Sequence, residues 1–362
     1  MHAPPSLSRL LRNLLFAGGC LLLVPACGGG SNPAPAPPPT PTTQDFTPTS
    51  PRLAKQPLLD DLAYIASPAL AGRLVGSPGN ATTRTFIENR FTELGLSYYG
   101  TGYAQAFSNT SSRAFGTNVV GYLPGSQNPN SAILISAHFD HIGSRNGSIC
   151  PGADDNASGT AAVLQLAAYF KIHPPAHTLI FALFDGEEQG LWGSEAFASQ
   201  PPIPLSQIEL VYNLDMIAQG TKGRIFVGGT SLPAYPTSTN TFLRATLIQG
   251  FSGSKVVVVP DFEKYDAQSD QHPFRLRGVP FLFFCVGDDS PYYHTPADTF
   301  ESIPKVFYWA TVEAILDTLL RLDATPSLPA LIPRPEAREL KPFSVKWNPH
   351  PWKSAEVLPQ GN

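Results

Sequence analysis

An α/β fold, a three-layer sandwich around a mixed and mostly parallel central sheet, is the architecture this chain predicts, and three observations lead to it. Between Leu53 and Asp323 strand-like and helix-like patterns alternate, the mark of helices laid over a sheet. Several strand-like runs are apolar without a break, as strands are when both faces are covered. Residues with reactive or ligating side chains follow those runs directly, where open α/β sheets bind their ligands.

Taken in order, Asn80 stands where it can cap a helix in which Phe86, Ile87, Phe91 and Leu94 recur at helical spacing, closed by Gly95. Thr117 to Leu123 and Ser131 to Ala137 read as neighbouring strands joined through Pro124-Gly125. Gly159 to Ile172 reads as a helix with Val163, Leu164, Leu166, Ala167 and Phe170 turned inward. Thr178 to Phe184, Glu209 to Leu214 and Val279 to Val286 are short apolar runs, hence buried strands. Val306 to Leu322 is an amphipathic helix that ends the domain.

A chain of 362 residues holds one large domain or two ordinary ones, and its ends reduce that number. Arg9 and Arg12 precede the apolar stretch Leu14 to Val24 and then Val24-Pro25-Ala26-Cys27, the layout of a secretory signal over residues 1–26. The stretch is too short to span a bilayer as a mature helix. The residues before Cys27 resemble the bacterial lipoprotein signal box, which implies cleavage there and a lipid on Cys27. An ordinary cleaved signal with an incidental cysteine is the alternative. Both export the protein: the first to a lipid anchor in the cell envelope, on the outer membrane or cell surface, the second to the periplasm or medium.

Residues 27–52, with Gly28-Gly29-Gly30 and a run of prolines from Pro33 to Pro39, form a tether that cannot bury a core. Residues 53–323 form the folded body. Residues 324–362 are again rich in proline, yet Phe343, Trp347 and Trp352 favour a tail packed on the domain.

A net charge of -4 with 14% charged residues and no basic stripe argues against a nucleic-acid partner. Of the 4 cysteines, Cys150 and Cys285 remain in the folded body, either paired, as export permits, or as two buried thiols.

The strand ends concentrate one kind of chemistry. His138 and Asp140 follow Ile133-Leu134-Ile135; Asp185, Glu187 and Glu188 follow Ile180 to Phe184; Asp215 follows Val211 to Leu214; His294 comes soon after Phe283 to Val286. Each alone has an ordinary explanation as a turn, a helix start or a cap. Together they bring histidines and carboxylates to one sheet edge, the donor set of a catalytic metal, and Gly152-Ala153-Asp154-Asp155-Asn156 adds acids on a nearby turn. In an extended segment His138 and Asp140 share a side, so that acid can accept the ring N–H turned away from metal. Asp298 serves His294 in the same way or caps the turn that follows. Adjacent Glu187 and Glu188 divide into one ligand and one base.

These segments resemble the exported aminopeptidases with two adjacent zinc ions, a superfamily that includes glutamate carboxypeptidase and glutaminyl cyclase. The resemblance is carried by Leu70-Ala71-Gly72-Arg73, Asn118-Val119-Val120-Gly121, Ala137 to His141, Gly152 to Gly159, Phe184 to Gly190, Asn213-Leu214-Asp215-Met216 and Tyr293-His294-Thr295-Pro296. It implies a zinc-exopeptidase-like fold from Leu58 to Leu322 and two Zn2+ ions. His138 and Asp215 would hold one, Glu188 and His294 the other, and Asp155 would bridge them. Glu187 would be the general base, Asp140 would hold His138 from behind, and Asp154 would bond backbone. His141 stays outside the ligand set, as does His272 in the similar segment Ser269 to Phe274. Imidazole with carboxylate also suits zinc better than magnesium or calcium.

The activity implied is removal of amino-terminal residues from peptides by a hydroxide shared between the ions. The alternatives are a carboxypeptidase or glutaminyl cyclase on the same scaffold, and a catalytically retired binding lipoprotein. Asp288 and Asp289 are candidates for the substrate ammonium. Phe262, Tyr265, Phe274, Tyr292 and Trp192 are candidates for a side-chain pocket, with ordinary packing as the alternative for each.

Overall fold

A computed structural model describes residues 44–109, 113–326 and 328–332. The signal, Cys27, most of the tether and the aromatic residues of the tail lie outside the described residues. Among the described residues no helix is long and apolar enough to cross a membrane.

The strands are β1 (Ala104–Asn109), β2 (Ala114–Leu123), β3 (Asn128–His138), the short pair β4 (Ser144–Arg145) and β5 (Ser148–Ile149), β6 (His177–Phe184), β7 (Ile208–Leu214), β8 (Arg224–Gly228), β9 (Val257–Val259) and β10 (Phe281–Cys285). The helices are α1 (Lys55–Ile65), α2 (Pro78–Glu93), α3 (Gly159–Ile172), α4 (Trp192–Ser199), α5 (Thr237–Phe251), α6 (His272–Arg275), α7 (Lys305–Asp323) and α8 (Leu328–Leu331). An 8-stranded sheet runs β1-β2-β6-β3-β7-β10-β8-β9. Its centre, β6-β3-β7-β10, is parallel. Antiparallel partners flank it, β2 on β6 and β8 on β10.

Strand alternation divides the interior into two cores. On β6, Leu179, Phe181 and Leu183 join the core that also takes Leu58 and Leu62 of α1, Val163 and Leu166 of α3 and Ile315 of α7. The intervening Ile180, Ala182 and Phe184 join a second core with Phe197 of α4 and Phe274 of α6. Each large side chain so buried contributes about 1.5–3 kcal/mol. Both faces of the sheet are therefore covered, which is why the central strands read as unbroken apolar runs.

The predicted helices and central strands stand within a few residues of their expected bounds, with two corrections. β2 and β3, expected as neighbours, are separated by β6, because the chain after Pro124-Gly125 skips one position and β6 later fills the gap. The first residues of α2 are capped by Ser77, not Asn80: Ser77 Oγ accepts from Asn80 N at 3.2 Å. Gly79 is required there, since a Cβ would overlap the Leu70 carbonyl. The stretch from Gln44 to Arg52, assigned by composition to the tether, lies on the body instead. Phe46 packs edge-on to Phe307 at 5.3 Å, and the Leu53 and Arg52 amides donate to the Glu313 carboxylate at 2.7 and 3.1 Å. That stretch has an aromatic anchor and amides that meet a carboxylate, neither of which composition reveals.

Candidate metal centre

The carboxyl ends of the parallel strands converge on one edge. β3 ends at His138, β6 at Phe184 just before Asp185, and β7 at Leu214 just before Asp215. His294 arrives on the loop after β10 with a positive φ of 54. The turn carrying Asp154 and Asp155 begins at Gly152, whose φ of 63 suits glycine, and leads into α3.

The fold braces this turn closely. Asp298 accepts the Asp154 and Asp155 amides, at 2.9 Å on Oδ1 and 3.1 Å on Oδ2. Its carboxylate supports the turn itself. Asp154 Oδ1 accepts from the Ala218 and Gln219 amides at 2.8 and 3.1 Å, a backbone role. Arg73, wholly buried, donates to the carbonyls of Ile65, Phe139, Pro151 and Gly152 at 2.7, 2.8, 2.6 and 2.9 Å. It thereby ties the His138–His141 turn to the Asp154–Asp155 turn. Burial lowers its guanidinium to about 10, and Asp155, Asp298, Asp140 and Glu188 resist the shift.

Two donor groups result. In the first, His138 Nε2 stands 3.2 Å from Asp215 Oδ1, 3.4 Å from Asp155 Oδ1 and 4.0 Å from Glu187 Oε2. In the second, His294 Nε2 stands 2.9 Å from Glu188 Oε2 and 3.1 Å from Asp155 Oδ2. His141 enters the second group too, its Nδ1 2.7 Å from Glu188 Oε1 and 3.7 Å from Asp155 Oδ2. His272 is in neither group. A tetrahedral zinc shell with N and O ligands at about 2.0–2.1 Å puts neighbouring donors roughly 3.3 Å apart. These spacings and donor types fit zinc.

Asp140 does more than stand behind His138. Its carboxylate accepts the Glu187 amide at 3.0 Å and the Glu188 amide at 3.4 Å. His138 Nδ1 lies 3.2 Å from the Asp140 carbonyl and 3.6 Å from its carboxylate. Asp140 thus holds the Glu-Glu turn against the histidine. Asp185 points away from the donors, accepting Asn80 Nδ2 at 2.8 Å and the Thr117 amide at 2.9 Å.

Burial works against charge throughout the site, and neighbours decide the outcome. It disfavours charged His138, yet Asp215 and Glu187 outweigh it and hold the imidazole proton well above the usual range. Burial disfavours ionised Glu188, but His294 and His141 win and hold it well below the usual range. For Glu187 burial prevails: the carboxyl is pushed well up, His138 pulling back while Asp215 and Glu188 add to the rise. A carboxyl that readily holds a proton and one committed to charge are thus adjacent in the chain.

Several sequence expectations find other roles. Asp289 is taken by Arg224 at 2.7 Å and Lys222 at 2.8 Å, so it is spent as an ammonium partner; the side chain of Asp288 lies outside those described. Tyr265 and Phe274 are buried in the second core, and Phe262 packs on Phe226 with ring centroids 4.4 Å apart and the rings tilted by 33°. Trp192 lines a cleft between β1 and α4 with Phe107 and Glu195. Cys150 and Cys285 are free, buried thiols. Sequence reasoning set His141 outside the donors on the family resemblance, whereas the fold brings its ring to the second group, just past the end of β3 at His138. It also left Arg73 without a role, since a buried arginine bonded to carbonyls has no charged partner to signal it.

The same folding pattern occurs in known proteins. A zinc aminopeptidase structure from Bacillus subtilis superposes with a TM-score of 0.61 at 15% identity, over 81% of this chain and 100% of that one. A glutaminyl cyclase structure from an Acidobacteriales bacterium does so at 0.60 and 24%, over 75% and 94%. Among curated proteins, aminopeptidase YwaD of Bacillus subtilis (strain 168) is 28% identical over 218 residues, 56% of this chain and 42% of its own. The chain spans between 20% and 45% of the length of the first curated relatives it matches. The model of peptidase family M28 matches residues 118–319, a span that includes every donor named above. The chain belongs to peptidase family M28.

Proposed function

We propose that this protein is a zinc-dependent exopeptidase that removes amino-terminal residues from peptides and works with two zinc ions. One observation carries the reading: the Asp155 carboxylate turns Oδ1 toward His138 at 3.4 Å and Oδ2 toward His294 at 3.1 Å, so a single side chain faces both donor groups. His138 and Asp215 would complete one position, Glu188 and His294 the other. Three carboxylates and two neutral imidazoles suit two divalent ions. When bound, such a pair supplies an acidified water and a place for the charge that develops on the carbonyl oxygen.

The chain's own residues supply the rest. Glu187, held by its amide to Asp140, has a raised proton affinity and takes a proton from the attacking water. It then returns that proton to the departing amine. Asp140 and Arg73 keep the histidine turn, the Glu-Glu turn and the Asp155 turn in register. Ser158 donates through Oγ to the Asp154 carbonyl at 2.7 Å and is spent in the turn, so no acyl-enzyme is called for.

The name of the aminopeptidase relative supports amino-terminal specificity. A free-amine aminoacyl anilide, a carboxy-terminal substrate and an amino-terminal glutamine peptide, assayed side by side with zinc, test it. Product from the first alone is expected; product only from the second or third overturns it. The reading also places the body outside the cytoplasm on a lipid at Cys27. Cys27→Ser should move the protein from the membrane fraction to the soluble one.

A further inference from the structure

The geometry points to His141 as a fourth protein donor of the second metal position, which makes the two positions unequal in closure and in affinity. This rests on the metal-bound reading above and goes beyond the ligand set it names. His141 Nδ1 lies 2.7 Å from Glu188 Oε1 and 3.7 Å from Asp155 Oδ2. One donor atom each from His141, Asp155, Glu188 and His294 lie within 4.8 Å of one another. These separations bracket the roughly 3.3 Å edge of a tetrahedral zinc shell.

The ring itself argues the same way. His141 is fully buried, and its Nε2 has no hydrogen-bond partner. Burying an imidazole with one nitrogen unpaired is costly unless the other makes a strong bond. The other nitrogen, Nδ1, is the one turned to Glu188 and Asp155, so the buried ring commits its available donor atom to the second position. The His141 and His294 rings meet edge to face at 5.5 Å, an orientation in which both can present a nitrogen to one point.

The first group offers His138, Asp215 and the near oxygen of Asp155, with Glu187 set back at 4.0 Å as the base. With four protein donors against three, the second position is the more fully held by the chain, and the first leaves more of its coordination to water and substrate. The second position therefore fills first, and the coordination open to substrate belongs to the His138–Asp215 position.

The test reads metal, not turnover. Metal-free full-length protein is titrated with Zn2+ by calorimetry, and X-ray absorption is recorded after one equivalent. The expected results are two resolved steps and two imidazoles around the first-bound zinc. His141→Gln, which keeps an N–H donor toward Glu188, should weaken the first step by about 100-fold, the upper range for loss of a group that supports a metal site, and leave one imidazole. His138→Ala should leave that first step within about threefold. One imidazole around the first zinc in the unaltered protein, a measurement needing no variant, overturns the assignment, as does an unchanged first step in His141→Gln. If the unaltered protein binds no zinc, the proposed function falls with it. Zinc binding and peptide cleavage with a single imidazole would sink this inference alone.

Discussion

At the carboxyl ends of β3, β6, β7 and β10, buried carboxylates face histidines; on the β8–β9 flank of the same sheet, Asp266 is just as buried and both its oxygens lack hydrogen-bond partners. Glu188 and Asp266 resolve one physical problem in opposite ways. At the centre, Glu188 keeps its charge because His294 and His141 outweigh burial. On the flank, burial raises Asp266 to about 7 with only Arg275 pulling back, so the group gives up its charge over most of the acid range. A buried acid beside paired imidazoles is a place for a cation; a buried acid alone is a liability that protonation relieves.

The largest effect should come from the centre. Glu187→Gln keeps the shape and removes the proton carrier, so kcat should fall by roughly 10²–10⁴ while bound zinc, measured by elemental analysis, stays unchanged. A fall in zinc content instead would make Glu187 a ligand and erase its contrast with Glu188.

Arg73→Met tests whether the centre depends on a buried cation. Four carbonyls would lose their donor, and stability in urea should drop by about 3 kcal/mol or more. A variant as stable as the parent would mean the two turns hold their places without it.

Asp298→Asn turns an amide donor toward the N–H groups of Asp154 and Asp155. Zinc affinity should weaken by about ten- to a hundredfold. An unchanged affinity would separate the Asp155 turn from the acid that braces it.

The most gradual effect, the smallest at any one step of pH, belongs to the flank. The folded Asp266 carboxyl titrates near 7 against 3.8 for the free group, so the fold keeps a proton that the unfolded chain has lost between those values. Stability therefore falls as pH rises through that window, by roughly 1 kcal/mol per pH unit. Asp266→Asn should flatten that slope in denaturation curves taken across the window. An unaltered slope would show that the flank carboxyl is paired after all, and the contrast with the centre would fail.

Much of this was legible in the residues. The unbroken apolar runs of β3, β6, β7 and β10 announce strands covered on both faces, and the acids and histidines after them announce a strand-end site. The edges were harder. β1 has only a few apolar residues, and β9 is three residues with an exposed Val257, so neither carries a pattern long enough to separate from loop. The last part of the tether was misread for a related reason: composition cannot show that Glu313, far along the chain, satisfies the amides of Arg52 and Leu53.

By itself the sequence determined the layer architecture, the parallel centre and the chemical types at its strand ends, because periodicity and burial act locally along the chain. The family resemblance already grouped His138 with Asp215 and Glu188 with His294; only the tertiary structure brought His141 into the second group. His141 joins Glu188 because the backbone leaves the strand at His138, and Asp155 faces both groups because Asp298 and Arg73 hold its turn between them. Those are contacts between segments distant in sequence, and no local pattern records them.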